Sequence, residues 1–284
     1  MYRIGILGTE NSHAAAFTSL TNVENSAYPD FKVVALYGID NATSQAIVDK
    51  YPNSGITICN SPEEMVDLVD CAMITARHGK YHKPFAMPFI KAGKPVFVDK
   101  PMTITEEDAV ELLDAAAANN VPVTGGSGCK YSVELLDFKK EIESGAIGTV
   151  KNAVMTFACD VHSEYGGLFF YGAHLAEMVE AVFGYNPNSV TAYLKNDYLS
   201  AVLRYDELDV YLSFAKSYTA VAYGDKSYVF KTITTNNIYA YEMDHFTEMV
   251  RTGKSPLTRE QLLNPIKLLN GIKKSLETGA AVAL

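Results

Sequence analysis

Short apolar runs alternate with stretches of helical periodicity from the N-terminus to Gly125. The pattern predicts strands over residues 3–8, 31–37, 71–75, 95–98 and 121–124. Helices are predicted over 12–20, 42–51, 84–92 and 105–118. Asn11 or Ser12 caps the first of these and Asn41 the second. Ser61-Pro62-Glu63-Glu64 is a capping box with proline at the first helical position, so another helix starts there. Strands and helices alternating at these lengths imply βαβ units and a parallel sheet covered on both faces.

After Gly125 the rhythm changes. A helix is expected over 132–144, ending at Gly145, and then strands over 150–159, 189–194, 199–205, 208–214, 220–223 and 227–232. One helix, from about 172 to 183, interrupts them. Two more helices close the chain, the second opening on a Thr258/Gln261 capping box and ending at Gly279. A run of strands with helices at its edges reads as an α+β domain on an antiparallel sheet. The expected division is therefore 1–122, an α/β domain, and 123–284, an α+β domain. In the second part, Tyr193, Tyr205, Tyr211, Phe214, Tyr223 and Tyr228 alternate with polar residues, and no matching run of helices follows to cover them. An uncovered apolar sheet face is expected to pair with another copy, giving a homo-oligomer, a dimer or tetramer.

Composition narrows the partners. The 284 residues carry a formal net charge of −9, which argues against nucleic acid or an anionic membrane as the main partner. No apolar run approaches the roughly 18 residues of a membrane span. The N-terminus carries no charged leader followed by an apolar core, so a cytoplasmic location is expected. Cys59, Cys71, Cys129 and Cys159 are widely spaced, which suits reduced thiols better than a disulfide frame or a zinc site.

Candidate chemistry lies in three stretches. In the first, Gly8-Thr9-Glu10-Asn11-Ser12-His13 joins a strand to a helix where a G-x-G-x-x-G phosphate turn belongs, but Glu10 and His13 stand in place of its second and third glycines. The helix N-terminus still offers N–H groups to an anion, and Thr9, Asn11 and Ser12 add donors. Glu10 brings an unfavourable carboxylate. A plain strand–helix corner is the alternative. An acid after the second strand would hold ribose hydroxyls; Asp40 stands there, and it suits the turn before the next helix equally well. No Arg or Lys follows closely to meet a 2′-phosphate, so NAD is expected over NADP.

In the second stretch, a β-branched and aromatic strand delivers Asp99, Lys100 and Pro101 to its C-terminal end, where open α/β sheets bind ligands. A lysine there can hold a substrate hydroxyl or act on its proton; a surface lysine before a loop is the alternative. The third stretch, GGLFFYGAHLAEMVEAVFG, places His174 near the start of an amphipathic helix, either as a catalytic group or as a satisfied core residue. His174 and Glu177 share a helix face and, with Asp160 and His162, offer an alternative metal site.

These three motifs, in this order, resemble the Gfo/Idh/MocA family of NAD(P)-dependent oxidoreductases over nearly the whole chain. The family's E-K-P motif is similar to Asp99-Lys100-Pro101, and its G-x-I-G turn to Gly145-Ala146-Ile147-Gly148. The histidine after its fourth strand matches His82, here preceded by TARHGKY, which contains Thr75 and Arg77. Its D-x-x-x-H motif falls on Phe170 to His174, with the histidine kept and the aspartate replaced. The resemblance implies a Rossmann domain, a C-terminal domain with a large, mostly antiparallel open sheet, and a nicotinamide between them. It implies NAD contacts from Gly8, Thr9, Glu10, Asn11, Ser12 and Asp40 in the first half of the sheet. Thr75, Arg77, His82, Asp99, Lys100 and Pro101 are the implied contacts in the second half.

The implied activity is hydride transfer between the nicotinamide and a sugar- or polyol-like substrate. Lys100 would polarise the reacting oxygen and His174 would relay the proton. Lys130, Phe170 and Tyr171 would line the substrate, with Lys130 and Tyr171 as supporting donors. Without an acid at 170, His174 is expected to have a lower proton affinity and a less fixed tautomer. Two other classes stay open: a non-catalytic relative that binds a nucleotide or sugar, and a metal-dependent lyase or isomerase.

Overall fold

The computed structural model describes residues 1–284. The chain forms two compact units, Met1–Gly126 with Tyr239–Leu262, and Ser127–Ile238 with Leu263–Leu284.

The first unit carries six strands: β1 (Tyr2–Leu7), β2 (Phe31–Tyr37), β3 (Thr57–Ile58), β4 (Cys71–Ile74), β5 (Val96–Asp99) and β6 (Val123–Gly126). All pair in parallel, in the order β3-β2-β1-β4-β5-β6. β4, β5 and β6 are buried at every position, as strands covered on both faces must be. The crossovers are α1 (Ser12–Thr21), α2 (Asn41–Val48), α3 (Pro62–Val66), α4 (His82–Lys91) and α5 (Glu106–Ala118). Strand order reverses between β1 and β4, and ligands of such sheets sit at that point, beyond the carboxyl ends of the strands. The loops there contain Gly8–Asn11, Thr75–Arg77 and Lys100.

Local signals explain the helix starts. Asn11 caps α1 and accepts from the His13 amide. Ser61 caps α3 and accepts from the Glu64 amide, with Pro62 in the first turn. The cap of α2 differs from expectation: Asp40, not Asn41, holds the Ala42 amide at 2.9 Å. The extended backbone of Asp40 (ψ 118°) lets its carboxylate reach two residues forward.

The division of the chain also differs. The boundary falls after Gly126 because β6 completes the parallel sheet, so 123–126 belong to the first unit. The second unit is not one continuous segment either. The helix α8 (Ile238–Thr252) brings Met243, Phe246 and Met249 into the first unit's core with Ile4, Phe17, Phe31 and Phe97. Phe246 lies 6.2 Å from Phe97 and 6.5 Å from Phe31, ring to ring. Burying each such side chain stabilises by about 1.5–3 kcal/mol, so packing overrides sequence order.

The second unit holds α6 (Val133–Glu143), β7 (Val150–Thr156), α7 (Leu168–Phe183), β8 (Ser189–Lys195), β9 (Tyr198–Arg204), β10 (Asp209–Ser213), β11 (Thr219–Gly224), β12 (Tyr228–Thr232) and β13 (Val282–Ala283). It also contains most of α9 (Arg259–Thr278). Its seven-stranded sheet runs β12-β11-β7-β10-β9-β8-β13, antiparallel except for β7 beside β10. Asn196 and Asp197, both at positive φ, form the two-residue hairpin between β8 and β9. α7 starts four residues before the expected 172, on Gly167 at φ 58°.

One sheet face is buried and the other is open. Phe230, Val221, Val154, Tyr211, Val202 and Thr191 lie opposite one another in register, forming one row across the open face. Tyr193, Tyr211, Tyr223 and Tyr228 are exposed as the alternation predicts. Tyr205 and Phe214 depart from it. Tyr205 donates its hydroxyl to the Gly184 carbonyl at 2.8 Å, and Phe214 is buried.

Candidate active site

In the first unit, β1 is followed by Gly8, which has φ 100°; a Cβ there would stand 2.1 Å from the Ala76 nitrogen. Only glycine suits that backbone and that approach. The Thr9 hydroxyl is buried against Thr43 (2.7 Å) and Ser44 (2.9 Å), tying the turn to α2. Ser12 is exposed in the first turn of α1.

Glu10, expected as an unfavourable charge, is tied to the neighbouring loop. One oxygen accepts the Arg77 amide at 3.2 Å and the other is buried without a hydrogen bond. Thr75 is fully buried and donates its hydroxyl to the Leu7 and Gly8 carbonyls (3.2 and 3.1 Å). His82 is also fully buried, with Nε2 2.7 Å from the Ala76 carbonyl. Burial holds its imidazole below the usual proton affinity, against the pull of the Ala76 carbonyl and Asp99. Thr75 and His82 thus tie together the loops after β1 and β4. Asp40 is exposed and engaged as a helix cap.

At the end of β5, Asp99 is fully buried. It accepts from the Lys100 amide at 2.7 Å and from Asn11 Nδ2 at 3.3 Å, and lies 2.6 Å from His13 Nδ1. Burial alone would raise its proton affinity. The His13 imidazole and Lys100 outweigh that and hold the carboxyl below the usual range. His13 also meets the Tyr239 ring edge-on at 4.8 Å. The residue that displaces the third glycine thus links the turn to the Asp99-Lys100-Pro101 motif. Sequence reading registered His13 only as a mismatch, because its partner is 86 positions away (99 − 13). Lys100 is 3% exposed, and Pro101 is buried.

In the second unit, His174 on α7 is buried among aromatic rings, Phe157 at 4.9 Å and Tyr171 at 5.3 Å. Its Nδ1 lies 2.7 Å from Ser127 Oγ and 3.5 Å from Cys129 Sγ. One turn on, Glu177 accepts from Lys130 Nζ at 2.7 Å, both side chains being buried. Burial alone would lower the Lys130 proton affinity, but Glu177 more than reverses this, so the ammonium persists. Lys130 thus forms an internal ion pair with Glu177. Glu180 is 1% exposed, and burial followed by Glu177 pushes its carboxyl well up. Burial likewise raises Tyr185 to about 12, with Lys130 opposing. Phe170 packs on Tyr165 (5.0 Å) and Tyr171 (4.9 Å), and Tyr171 is 40% exposed. Sequence reading missed Ser127 and Glu180, which stand in no periodic pattern.

The alternative metal set does not assemble. His162 is exposed and pairs with Asp197 at 2.9 Å, its amide held by Asp160, while His174 bonds Ser127. No group of three or more His, Cys, Asp or Glu side chains converges anywhere in the chain. All four cysteines are free thiols, and no helix is long and apolar enough to cross a membrane.

The residues at the first unit's strand ends fit a dinucleotide. Gly8 keeps the close turn, α1 opens with Ser12 exposed, and the Glu10 carboxylate is turned onto the Arg77 amide. Residues 2–127 match the model of the Gfo/Idh/MocA group, described as an oxidoreductase family with an NAD-binding Rossmann fold. An inositol 2-dehydrogenase of Pseudomonas fluorescens is 33% identical over 139 residues, covering 49% of this chain and 36% of that protein. The chain spans between about a third and a half of the length of the curated relatives it matches first. The fold is that of solved dehydrogenases. The myo-inositol 2-dehydrogenase of Lactobacillus plantarum has a TM-score of 0.86 at 16% identity, over 100% of this chain and 99% of that one. The scyllo-inositol dehydrogenase of Lactobacillus casei, solved with bound cofactor NAD(H) and scyllo-inositol, has a TM-score of 0.83 at 16% identity over the same shares. The match to the Gfo/Idh/MocA oxidoreductase family, with its NAD-binding Rossmann fold, thus lies in the first unit of this chain.

Proposed function

We propose that the protein is an NAD-dependent oxidoreductase that moves a hydride between the nicotinamide and a carbon of a sugar- or polyol-like substrate. The observation that carries this reading is Lys100, buried at the carboxyl end of β5 beside an ionised Asp99 in the family-matched unit. NAD, when bound, supplies the hydride acceptor or donor. Gly8 and the start of α1 (Asn11, Ser12) take its pyrophosphate, and the Arg77 and Lys100–Pro101 loops flank it. Asp40, with no basic residue close behind, favours NAD over NADP. Lys100 holds the reacting oxygen and moves its proton, and Asp99, fixed by Asn11 and His13, keeps the lysine in place. His174 is the second polar group of the reaction, with Phe170 and Tyr171 beside it. Inositol dehydrogenases among the relatives support a cyclic polyol as substrate. The reading places the enzyme in the cytoplasm, with no nucleic-acid or membrane partner, as a homo-oligomer joined through the second unit's open tyrosine-bearing face.

NADH fluorescence titration followed by a polyol screen tests the activity. The expected result is saturable binding, tighter for NADH than NADPH, and nicotinamide reduction with at least one cyclic polyol. A monomer in light scattering at micromolar concentration would remove the assembly reading. One observation favours a second reading, a non-catalytic sensor: Phe170 gives His174 no carboxylate. Binding of NADH without turnover across the screen would select it.

A further inference from the structure

Position 170 leaves His174 without an acid one turn away, yet the imidazole has a polar partner, Ser127. Both side chains are buried, Ser127 at 1% exposure and His174 at 6%. Ser127 Oγ already accepts the Cys129 amide at 3.2 Å. That bond occupies a lone pair and leaves the hydroxyl proton to be placed. Within hydrogen-bond reach of Oγ the structure offers that proton one acceptor, His174 Nδ1 at 2.7 Å. Stranding a buried hydroxyl proton is costly enough to favour the bonded arrangement by about tenfold or more. Ser127 therefore donates, Nδ1 accepts, and the neutral ring carries its own proton on Nε2. Protonating Nδ1 would reverse the bond and strand the serine proton, so the imidazolium is disfavoured. Phe157 and Tyr171 pack against the ring and hold its plane.

We propose that Ser127 is the positioning residue for His174, replacing the acid absent at position 170, and that it fixes the imidazole as a neutral Nε2–H donor to the substrate oxygen rather than a proton relay. The proposal rests on the oxidoreductase reading. In the oxidising direction NAD, when bound, would take the hydride from the alcohol carbon, and the hydroxyl proton would pass to the neutral Lys100 amine. His174 gains and loses no proton, and its Nε2–H bonds to the oxygen throughout. The expectation of a loosely held tautomer is thereby replaced by a fixed one.

Nitrogen-15 NMR of the full chain, with His174 assigned through His174→Gln, reads the tautomer directly. The expected spectrum has a pyridine-type Nδ1 and a pyrrole-type Nε2. Ser127→Ala should mix the tautomers and lower kcat about tenfold with a smaller change in KM, and Ser127→Thr should restore both. A pyrrole-type Nδ1 in the unmodified protein, or an unchanged His174 spectrum in Ser127→Ala, overturns the proposal whether or not the enzyme turns over. An Nε2–H ring with no polyol turnover overturns the oxidoreductase reading instead.

Discussion

Asp99 in the first unit and Glu180 in the second are both cut off from water, at 0% and 1% exposure, yet their proton affinities are shifted in opposite directions. Asp99 ends a parallel strand and faces His13, Lys100, the Lys100 amide and Asn11, so it stays ionised. Glu180 sits three residues beyond Glu177 on α7, and no donor reaches either of its oxygens, so burial and that neighbour raise its proton affinity well above the usual range. Burial pushes both carboxyls towards neutrality, and the neighbours decide the outcome. The first arrangement suits a place where charge is handled at a ligand. The second belongs to an interior where the one full charge pair is Lys130 with Glu177.

The comparison breaks hardest at Lys130. Lys130→Met leaves Glu177 buried beside Glu180 with no cation, a change that typically costs about 3–5 kcal/mol. Adding Glu177→Leu should recover most of that loss. Urea unfolding of both single variants and the double variant gives the coupling. If Lys130→Met is as stable as the parent but binds polyol poorly, Lys130 is a ligand group and the internal pair is incidental.

The two carboxyls also differ in how far the sequence revealed them. Asp99 was legible because it lies in a short motif at a strand end, and its strand was marked by β-branched residues. The parallel sheet was legible for the same reason: each βαβ unit is local in sequence. The return of Tyr239–Leu262 to the first unit was not, because its cause is a non-local contact of Phe246 with Phe31 and Phe97. His13, Ser127 and Glu180 were unreadable for a related reason. Each takes its role from a partner or a void supplied by distant chain, and neither spacing nor periodicity records that.

Lys100 carries the next effect. Replacing Lys100, which stands beside Asp99, should lower turnover by about a hundredfold or more, the scale for a positioned acid–base group. Steady-state assays of Lys100→Ala on whichever polyol the screen identifies will check this. Undiminished turnover would mean that Asp99 is ionised for structural reasons and that the chemistry lies elsewhere.

Stability against pH sharpens the contrast, because the two groups have opposite signs. The proton affinity of Asp99 is depressed on folding. Its contribution is present above the unfolded value of 3.8 and is lost as pH falls below that towards the folded value. Glu180 is shifted the other way. Its contribution is complete below the unfolded value of 4.5 and is lost as pH rises towards the raised folded value. Asp99→Asn should therefore cost about 1–3 kcal/mol at neutral pH, with the deficit shrinking towards pH 3. Glu180→Gln should be close to the parent at pH 4 and more stable than it at pH 8. Denaturant midpoints at four pH values decide, and parallel curves for the Glu180→Gln pair would show that its carboxyl ionises in the fold without penalty.

The smallest effect falls on Glu10, a carboxylate intermediate between the two. One of its oxygens has a donor, the Arg77 amide, and the other is buried without one. In the proposed cofactor turn its charge opposes a pyrophosphate, worth roughly 1 kcal/mol for unit charges 4 Å apart in water and less at greater distance. Glu10→Gln removes that charge and keeps an oxygen for Arg77, so NADH should bind about two- to fivefold more tightly, with the gain fading as salt is added. Glu10→Gly removes the charge and restores the second glycine of the turn, but it leaves the Arg77 amide without its acceptor and costs about 0.5–1 kcal/mol in chain entropy. Its gain should therefore be no larger than that of Gln unless the missing glycine limits backbone approach to the phosphates. NADH titrations of the two variants at low and moderate salt separate these effects. A gain confined to Gly and insensitive to salt would assign the penalty to bulk at position 10. No gain in either variant would place the phosphates away from Glu10 altogether.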